Sequence, residues 1–320
     1  MEVVINSPVW ASFVADQQTA TERADACFKF ICKYIIEHGS LDKNPRPKYA
    51  SDGVPAHTYS VNHVIQRFDL TKGDFPLLSI RSTAVKSGIG EILWIYKDES
   101  NDLKKLAEYG VTWWDEWDIG DGTIGQCYGK TVKDHEITKN LLKALKDDPD
   151  SRRHIIDLYQ YDDFKKKHGL KPCALFSEYN VRYDGDKTIL DAFLLLRSSD
   201  YVTAGAINQA QYIALFQALA QVNGYIPGVL TCMLVNCQIY DRHIEPVKMM
   251  IERESIPANP HFNINTEGKG FYDLKISDFI VEDYPRKKIE EINPKIKLDI
   301  GVWKNLQIKR GVYYIYAPIF

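Results

Sequence analysis

The chain has 320 residues, 45% of them hydrophobic, 26% charged and 12% aromatic, with a formal net charge of −3 from 40 basic and 43 acidic side chains. This excludes a disordered or collagen-like chain, and the near balance of charge argues against a bulk binder of nucleic acid or membrane surfaces, leaving room for a local basic pocket. A chain of this length buries enough surface to hold a core without disulfides or metal.

The opening MEVVINSPVWASF has no basic stretch followed by an apolar one, so no signal peptide is expected. No apolar run approaches the roughly eighteen residues of a membrane span, and the expectation is a soluble, cytoplasmic protein. Phe28, Ile31, Cys32, Ile35 and Ile36 recur at helical spacing up to His38-Gly39. After the loop LDKNPRPKYASDGVPAH, the stretch TYSVNHVIQRFDL reads as a strand and Lys72-Gly73-Asp74 as a turn. Residues 83–97 form a predicted helix with Val85, Ile89, Ile92, Leu93 and Tyr96 inward. The Trp-rich VTWWDEWDIGDGTIGQCYG reads as a loop, and 133–147 as a charged, exposed helix.

From Arg153 the pattern turns to strands: HIIDLYQY, ALFSEYNVRYD and TILDAFLLLRSSD, the last two joined as a hairpin by Asp184-Gly185-Asp186. Residues 208–224 give a mostly apolar helix closed by Asn223-Gly224, which belongs in the middle of a domain. A strand over Val229–Tyr240 and a helix in DRHIEPVKMMIERE follow. No repeat or linker interrupts the chain. The expectation is one α+β domain over 1–320, a mixed or antiparallel sheet packed by helices around a long central apolar helix.

The cysteines are Cys27, Cys32, Cys127, Cys173, Cys232 and Cys237, with no CxxC and no histidine at zinc spacing. No metal is expected, and reduced thiols are expected throughout. Four short segments combine groups suited to one chemistry: Lys171-Pro172-Cys173-Ala174, Arg197-Ser198-Ser199-Asp200, Ser151-Arg152-Arg153 and Asn208. A cysteine nucleophile needs cations nearby to populate its thiolate, and arginines provide them without competing as bases. Several arginines converging on one place suit a phosphate monoester. Taken singly, the cysteine also fits a structural role and the arginine pair a solvated face.

In this order and spacing the segments resemble the thymidylate synthase family, from about Tyr34 to about Tyr284. RPKYASDGVPAHTYSV is similar to that family's phosphate loop and first strand, and GEILWIYKDESNDL to its helix with an essential glutamate. The Trp-rich block, SRRHII, KPCALF, LLLRSSDYVTAGAINQAQY and NCQIYDRHIE follow in the family's order. The resemblance implies that Cys173 adds to C6 of dUMP, and that 5,10-methylenetetrahydrofolate is carbon and hydride donor, giving dTMP. It implies that Arg46, Arg152, Arg153, Arg197 and Ser198 hold the 5′-phosphate, Arg152 and Arg153 reaching across a homodimer. Glu91 would anchor proton transfer at O4, and Tyr128 would help remove the C5 proton. Trp114 would pack on the folate, Asp200 would bond the pterin, and Arg81 would meet the glutamyl tail where the family often has Lys. Neither membrane nor DNA is an expected partner.

Asn208 speaks to the base. A carboxamide accepts from N3–H and donates to O4 of uracil, whereas cytosine is better served by a carboxylate, so dUMP is expected over dCMP. Tyr240 matches the tyrosine at the sugar 3′-hydroxyl, while Gln238 stands where the family usually has His. Ala174 stands where many members have His, and residues 201–207 replace a bulkier, proline-containing stretch. Family members end on a short apolar tail that closes the site. KLDIGV (297–302) resembles such an end, yet residues 303–320 follow. The expectation favours APIF (317–320) as the tail, with an insertion within 285–312. Alternatives are, from the resemblance, a dUMP hydroxymethylase of the same family or an idle homologue regulating through nucleotide or RNA binding, and, from the residues, a cysteine hydrolase using His154 or His243.

Overall fold

The computed structural model describes residues 1–166, 169–299 and 301–302 of the chain. The first strands, β1 (Glu2–Ser7) and β2 (Ala11–Val14), form a hairpin where the sequence reading assigned no element. The signal was the alternation of buried Val3 and Ile5 with outward neighbours. Helix α1 (Ala20–His38) starts at a capping box, with the Thr19 amide donating to Glu22 Oε2 at 3.1 Å. It ends at Gly39 and buries Phe28, Ile31, Cys32 and Ile35, the stripe that predicted it.

Next come β3 (Thr58–Asp69) and α2 (Val85–Ile92), and then β4 (Ile155–Asp157), β5 (Ala174–Asp184) and β6 (Lys187–Leu196). Helix α3 (Ala206–Val222) and β7 (Ile226–Tyr240) complete the frame. Among the described residues these strands build one nine-stranded sheet, ordered β2-β1-β3-β7-β6-β5-β4, with Ser40–Leu41 added on β3 and Ser199–Asp200 on β7. The β6–β7 pair is parallel, Leu230 facing Ala192, while the other pairs along this order are antiparallel. A parallel pair requires a crossover, and α3 supplies it. Its residues from Gln209 to Ala220 are buried without interruption, which explains its lack of a polar face. Helix α2 packs on it, and Gly88 allows this, since a Cβ there would lie 3.1 Å from Gln211 Cγ.

Three predicted elements differ in extent. The helix over 83–97 is α-helical to Ile92 and widens into a π turn over Leu93–Lys97. The helix over 133–147 is two, Gly129–Asp134 and Ile137–Asp147, broken at Glu136 (φ 49°). The break lets His135 Nε2 reach the buried Asp163 carboxylate at 3.2 Å. The strand in HIIDLYQY stops at Asp157, whose Oδ1 accepts the Tyr159 amide at 2.8 Å and turns the chain.

One face of the sheet is covered by α1, α2 and α3, while Thr231, Met233, Phe193, Leu195 and Phe176 on the other face stay half-exposed. Beyond helix Ile244–Ile251 the chain wraps back, pinned where Asn293 Nδ2 donates to Ser79 O (2.9 Å) and Arg253 Nη2 to Pro294 O (2.8 Å). Among the described residues no helix is long and apolar enough to cross a membrane.

Candidate active site

Cys173 stands at the entry to β5, directly after Pro172, and the end of β6 brings Arg197 beside it. The Arg197 amide donates to Cys173 O (2.9 Å), Nε to Pro172 O (2.8 Å) and Nη2 to Lys171 O (2.8 Å). The guanidinium is thus fixed by backbone, and the same Nη2 lies 3.7 Å from Cys173 Sγ. Burial pushes the Cys173 thiol up and the Arg197 charge pulls it back, with burial prevailing. The sequence reading expected arginine to populate the thiolate. The Arg197 charge acts in the expected direction, toward the thiolate, while burial opposes it more strongly within the single chain.

Tyr128 holds this group from below: the Cys173 amide donates to Tyr128 Oη at 2.9 Å. Its backbone has φ 47°, a strained value for a bulky residue, where the chain enters helix Gly129–Asp134. Gly129 keeps it there, since a Cβ at 129 would fall 2.0 Å from Ser100 O. Burial pushes the phenol well above its ordinary range, so Tyr128 remains a hydroxyl.

Glu91 lies on the buried side of α2, and burial raises its carboxyl to about 7 against the donors around it. The first of these is Trp113, whose Nε1 donates to Glu91 Oε2 at 2.6 Å. Gln211 is another, and it links to the base-recognition candidate, because Asn208 Nδ2 donates to Gln211 Oε1 at 2.9 Å. Trp114 points toward the same carboxyl, yet its Nε1 is buried with no partner within hydrogen-bond distance. Its ring meets Tyr128 edge-on at 5.4 Å and Trp117 at 5.6 Å. Trp113 and Gln211 were not singled out from sequence. Gln211 had a legible signal, three residues after Asn208 and so on the same helix face.

The opposite wall comes from β7. Gln238 pairs with Asp200 in parallel register, and Tyr240 stands two residues further on, near enough to Cys173 and Asp200 to feel their charges. Asp200 accepts from the Thr203 amide (3.4 Å) and hydroxyl, which holds the turn leading to α3. Arg81 Nη1 donates to Val202 O, and burial lowers its pKa while the Asp200 charge opposes this. Ser198 is half-buried beside Arg197. Arg46 is exposed in the loop before Tyr49.

Arg152 and Arg153 are exposed on the bend before β4, and their side chains make no hydrogen bond or ion pair among the described residues. The structure therefore gathers Cys173, Arg197, Tyr128, Glu91, Trp114, Asn208, Asp200 and Tyr240, and leaves this arginine pair facing outward. Of the two tail candidates, APIF lies outside the described residues. The other is described except for Ile300, and its Gly301 and Val302 pair antiparallel with Tyr49 and Lys48.

The histidines a cysteine hydrolase would use are engaged elsewhere, His154 Nε2 with Asp148 O (3.0 Å) and His243 Nε2 with Asp299 O (2.6 Å).

Comparison with known proteins gives the same direction. The thymidylate synthase family model matches residues 26–298. A thymidylate synthase from Lactococcus lactis is 39% identical over 282 residues, covering 87% of this chain and 99% of that protein. One from Streptococcus pneumoniae is 38% identical over 283 residues, covering 88% and 99%. The solved structure of thermostable thymidylate synthase A from Bacillus subtilis is similar with a TM-score of 0.78 at 35% identity, over 87% of this chain and 99% of that one. With the motif order, the architecture and these matches in agreement, the chain belongs to the thymidylate synthase family.

Proposed function

We propose that the chain converts dUMP and 5,10-methylenetetrahydrofolate to dTMP and dihydrofolate, with Cys173 as nucleophile. As a member of its family it is a folate-dependent methyltransferase. The observation that carries the residue assignment is the thiol at 3.7 Å from a backbone-fixed Arg197, on the same Tyr128 that meets Trp114 and senses Glu91.

In this reading the Cys173 sulfur bonds to C6 of the pyrimidine, the thiol proton leaves, and the C5–C6 electron pair moves onto C5 and O4. Glu91, titrating near neutrality, can hold or release the proton that O4 requires. Asn208, oriented by Gln211, reads the uracil edge. Tyr128 takes part in removing the C5 proton, after which the carbon–sulfur bond breaks and frees Cys173. Arg197, Ser198 and Arg46 face the 5′-phosphate, and Tyr240 and Gln238 the sugar.

The folate supplies the one-carbon unit and then the hydride that completes the methyl group. The chain offers a fitting surface for it. Trp114 presents a buried indole with an unsatisfied N–H, Asp200 a carboxylate for the pterin, and Arg81 a cation for an anionic tail. Trp114 would also keep water from the reacting carbon.

A second copy of the chain completes the site. The half-exposed apolar residues Phe176, Phe193, Leu195 and Met233 lie on a sheet face that no helix covers among the described residues, and this face suits a self-complementary interface. Arg152 and Arg153, whose side chains lack partners among the described residues, would reach the phosphate of the neighbouring site. The test is mass analysis of the product formed from dUMP and methylenetetrahydrofolate. A methyl product supports the proposal, while a hydroxymethyl product or no reaction overturns it.

A further inference from the structure

The loop that carries Arg46 is closed at its base by backbone. The Asp42 amide donates to Thr58 O at 3.0 Å, and the Ala56 amide to Pro47 O at 3.0 Å. Between these two bonds one side of the loop holds residues 43–46, while the other holds only His57. Residues 43–46 must therefore bow outward opposite His57. His57 is anchored to the sheet, since it directly precedes β3 and its carbonyl accepts the Asp241 amide at 2.9 Å, just beyond β7. Its ring turns toward the origin of the bow, with Nδ1 2.7 Å from Asp42 Oδ1 and 3.2 Å from Asp42 O. Both oxygens are acceptors, so Nδ1 carries a proton and donates whether or not Nε2 is also protonated. Asp42 Oδ2 accepts from the Thr58 hydroxyl at 3.2 Å, which fixes the carboxylate from its other side.

We infer that His57 is a positioning residue: by holding Asp42 it sets where residues 43–46 leave the sheet, and so where Arg46 stands. The sequence makes Arg46 depend on that origin. Pro45 and Pro47 flank it, which fixes φ on either side and biases Asn44 and Arg46 toward extended conformations. A stiff stretch passes a tilt at its base on to the side chain it carries. The carboxylates of Asp42 and Asp241 are the charges that act on His57, and the Tyr49 hydroxyl donates to the second. Arg242, next to Asp241, is committed to Asp52, and Tyr240 at the end of β7 is kept a hydroxyl chiefly by burial. The hydrogen bond from Asp42 is the main cause that holds the imidazole above its ordinary pKa. The charge-assisted form of the contact therefore outlasts the ordinary value and fades as pH rises through the raised one. The His57 and Asp42 side chains keep 33% and 34% of their exposure, so the pair is weak enough to tune an affinity without deciding folding.

The effect on affinity rests on the proposed contact of Arg46 with the 5′-phosphate. The experiment measures equilibrium dUMP binding to the full chain by calorimetry, without folate, from about pH 6 to about pH 9. Taking each variant as a ratio to wild type cancels the ionisation of the phosphate itself. His57→Asn keeps a donor near the Nδ1 position and cannot ionise. It should bind dUMP about threefold more weakly than wild type at the acid end and equally well at the alkaline end. His57→Ala loses the bond at every pH and should bind about threefold to fivefold more weakly throughout. Asp42→Asn removes the charge from the other side of the pair and should lose the same acid-end advantage as His57→Asn. Arg46→Ala should weaken binding by itself, and in that background neither His57 variant should weaken it further. A His57→Asn penalty that is absent or does not vary with pH overturns the positioning role. So does a penalty that persists undiminished in the Arg46→Ala chain, or an Arg46→Ala chain that binds dUMP as wild type does. A wild-type chain that shows these binding dependences and forms no dTMP refutes the proposed function and leaves the role of His57 standing.

Discussion

Glu91 places a measurable charge penalty in the core, and removing it should raise stability while abolishing function. Burial moves its carboxyl from 4.5 to about 7. At about 1.4 kcal/mol for each pH unit, keeping this group ionised in the folded chain costs about 3 kcal/mol. Between pH 4.5 and about 7 the folded chain holds a proton that the unfolded chain has lost. Stability contributed by that proton is complete below the lower value, declines as pH rises through the window, and is gone above it. Glu91→Gln removes the titration yet keeps an oxygen for the Trp113 indole N–H. The difference in unfolding free energy, variant minus wild type, should be near zero at about pH 4 and reach about 2–3 kcal/mol at about pH 8. Urea unfolding at matched protomer concentration across this range measures it, and other titrating groups cancel in the difference. Turnover of the variant should fall at least about 100-fold, the usual share of a positioned acid–base group. A stability difference independent of pH would show that Glu91 is not a buried, proton-holding carboxyl.

Cys173→Ser should lower turnover at least about 1000-fold with dUMP affinity retained, because an alkoxide forms far less readily than a thiolate; a residual above about one tenth refutes the nucleophile assignment in a steady-state assay. Asn208→Asp should move the competition-binding preference from dUMP toward dCMP, and an unchanged preference removes Asn208 from the base contact. Mixing inactive Cys173→Ser with inactive Arg152→Glu chains should restore part of the activity if sites are shared, and no recovery despite demonstrated subunit exchange refutes sharing. Gly129→Ala should cost about 2–3 kcal/mol in a denaturant titration, since its Cβ meets the Ser100 carbonyl, and a neutral result refutes the close approach.

Much of the frame was readable because apolar spacing and burial are the same fact seen twice. The stripe Phe28, Ile31, Cys32 and Ile35 became the buried face of α1, and the apolar 208–224 became the enclosed crossover α3. What escaped depends on partners distant in sequence. The break at Glu136 goes with a histidine reaching Asp163, and the short β4 with one Asx turn. Within the site, Cys173 and Arg197 stood out by residue type in their segments, and Glu91 through the family resemblance. Trp113 did not, because two adjacent tryptophans give no clue to which indole N–H meets the carboxylate. The opposing effect of burial on the Cys173 thiol was not legible for a related reason: sequence displays the arginine, and burial exists only in the fold.

Burial raises both the Cys173 thiol and the Glu91 carboxyl above their ordinary values, and this bears on the order of events in the proposed reaction. Arg197 is already committed to two carbonyls of the Lys171-Pro172 turn and shares one N–H direction with the sulfur. A phosphate dianion bound at the same arginines would reduce the positive potential at the sulfur, not increase it. Free thiolate accumulating before the nucleotide arrives is therefore a poor starting point. A more consistent route couples the two groups: the sulfur gives up its proton as it bonds to C6, while the negative charge arriving at O4 is met by donors fixed around Glu91. Both charges then appear where a partner waits, and neither has to exist alone in the dry interior. Arg152 and Arg153 from a second copy would restore the cationic balance that the phosphate removes. Under the proposed function the single chain would hold the nucleophile and the proton relay, and a second copy would supply the electrostatics that let them act.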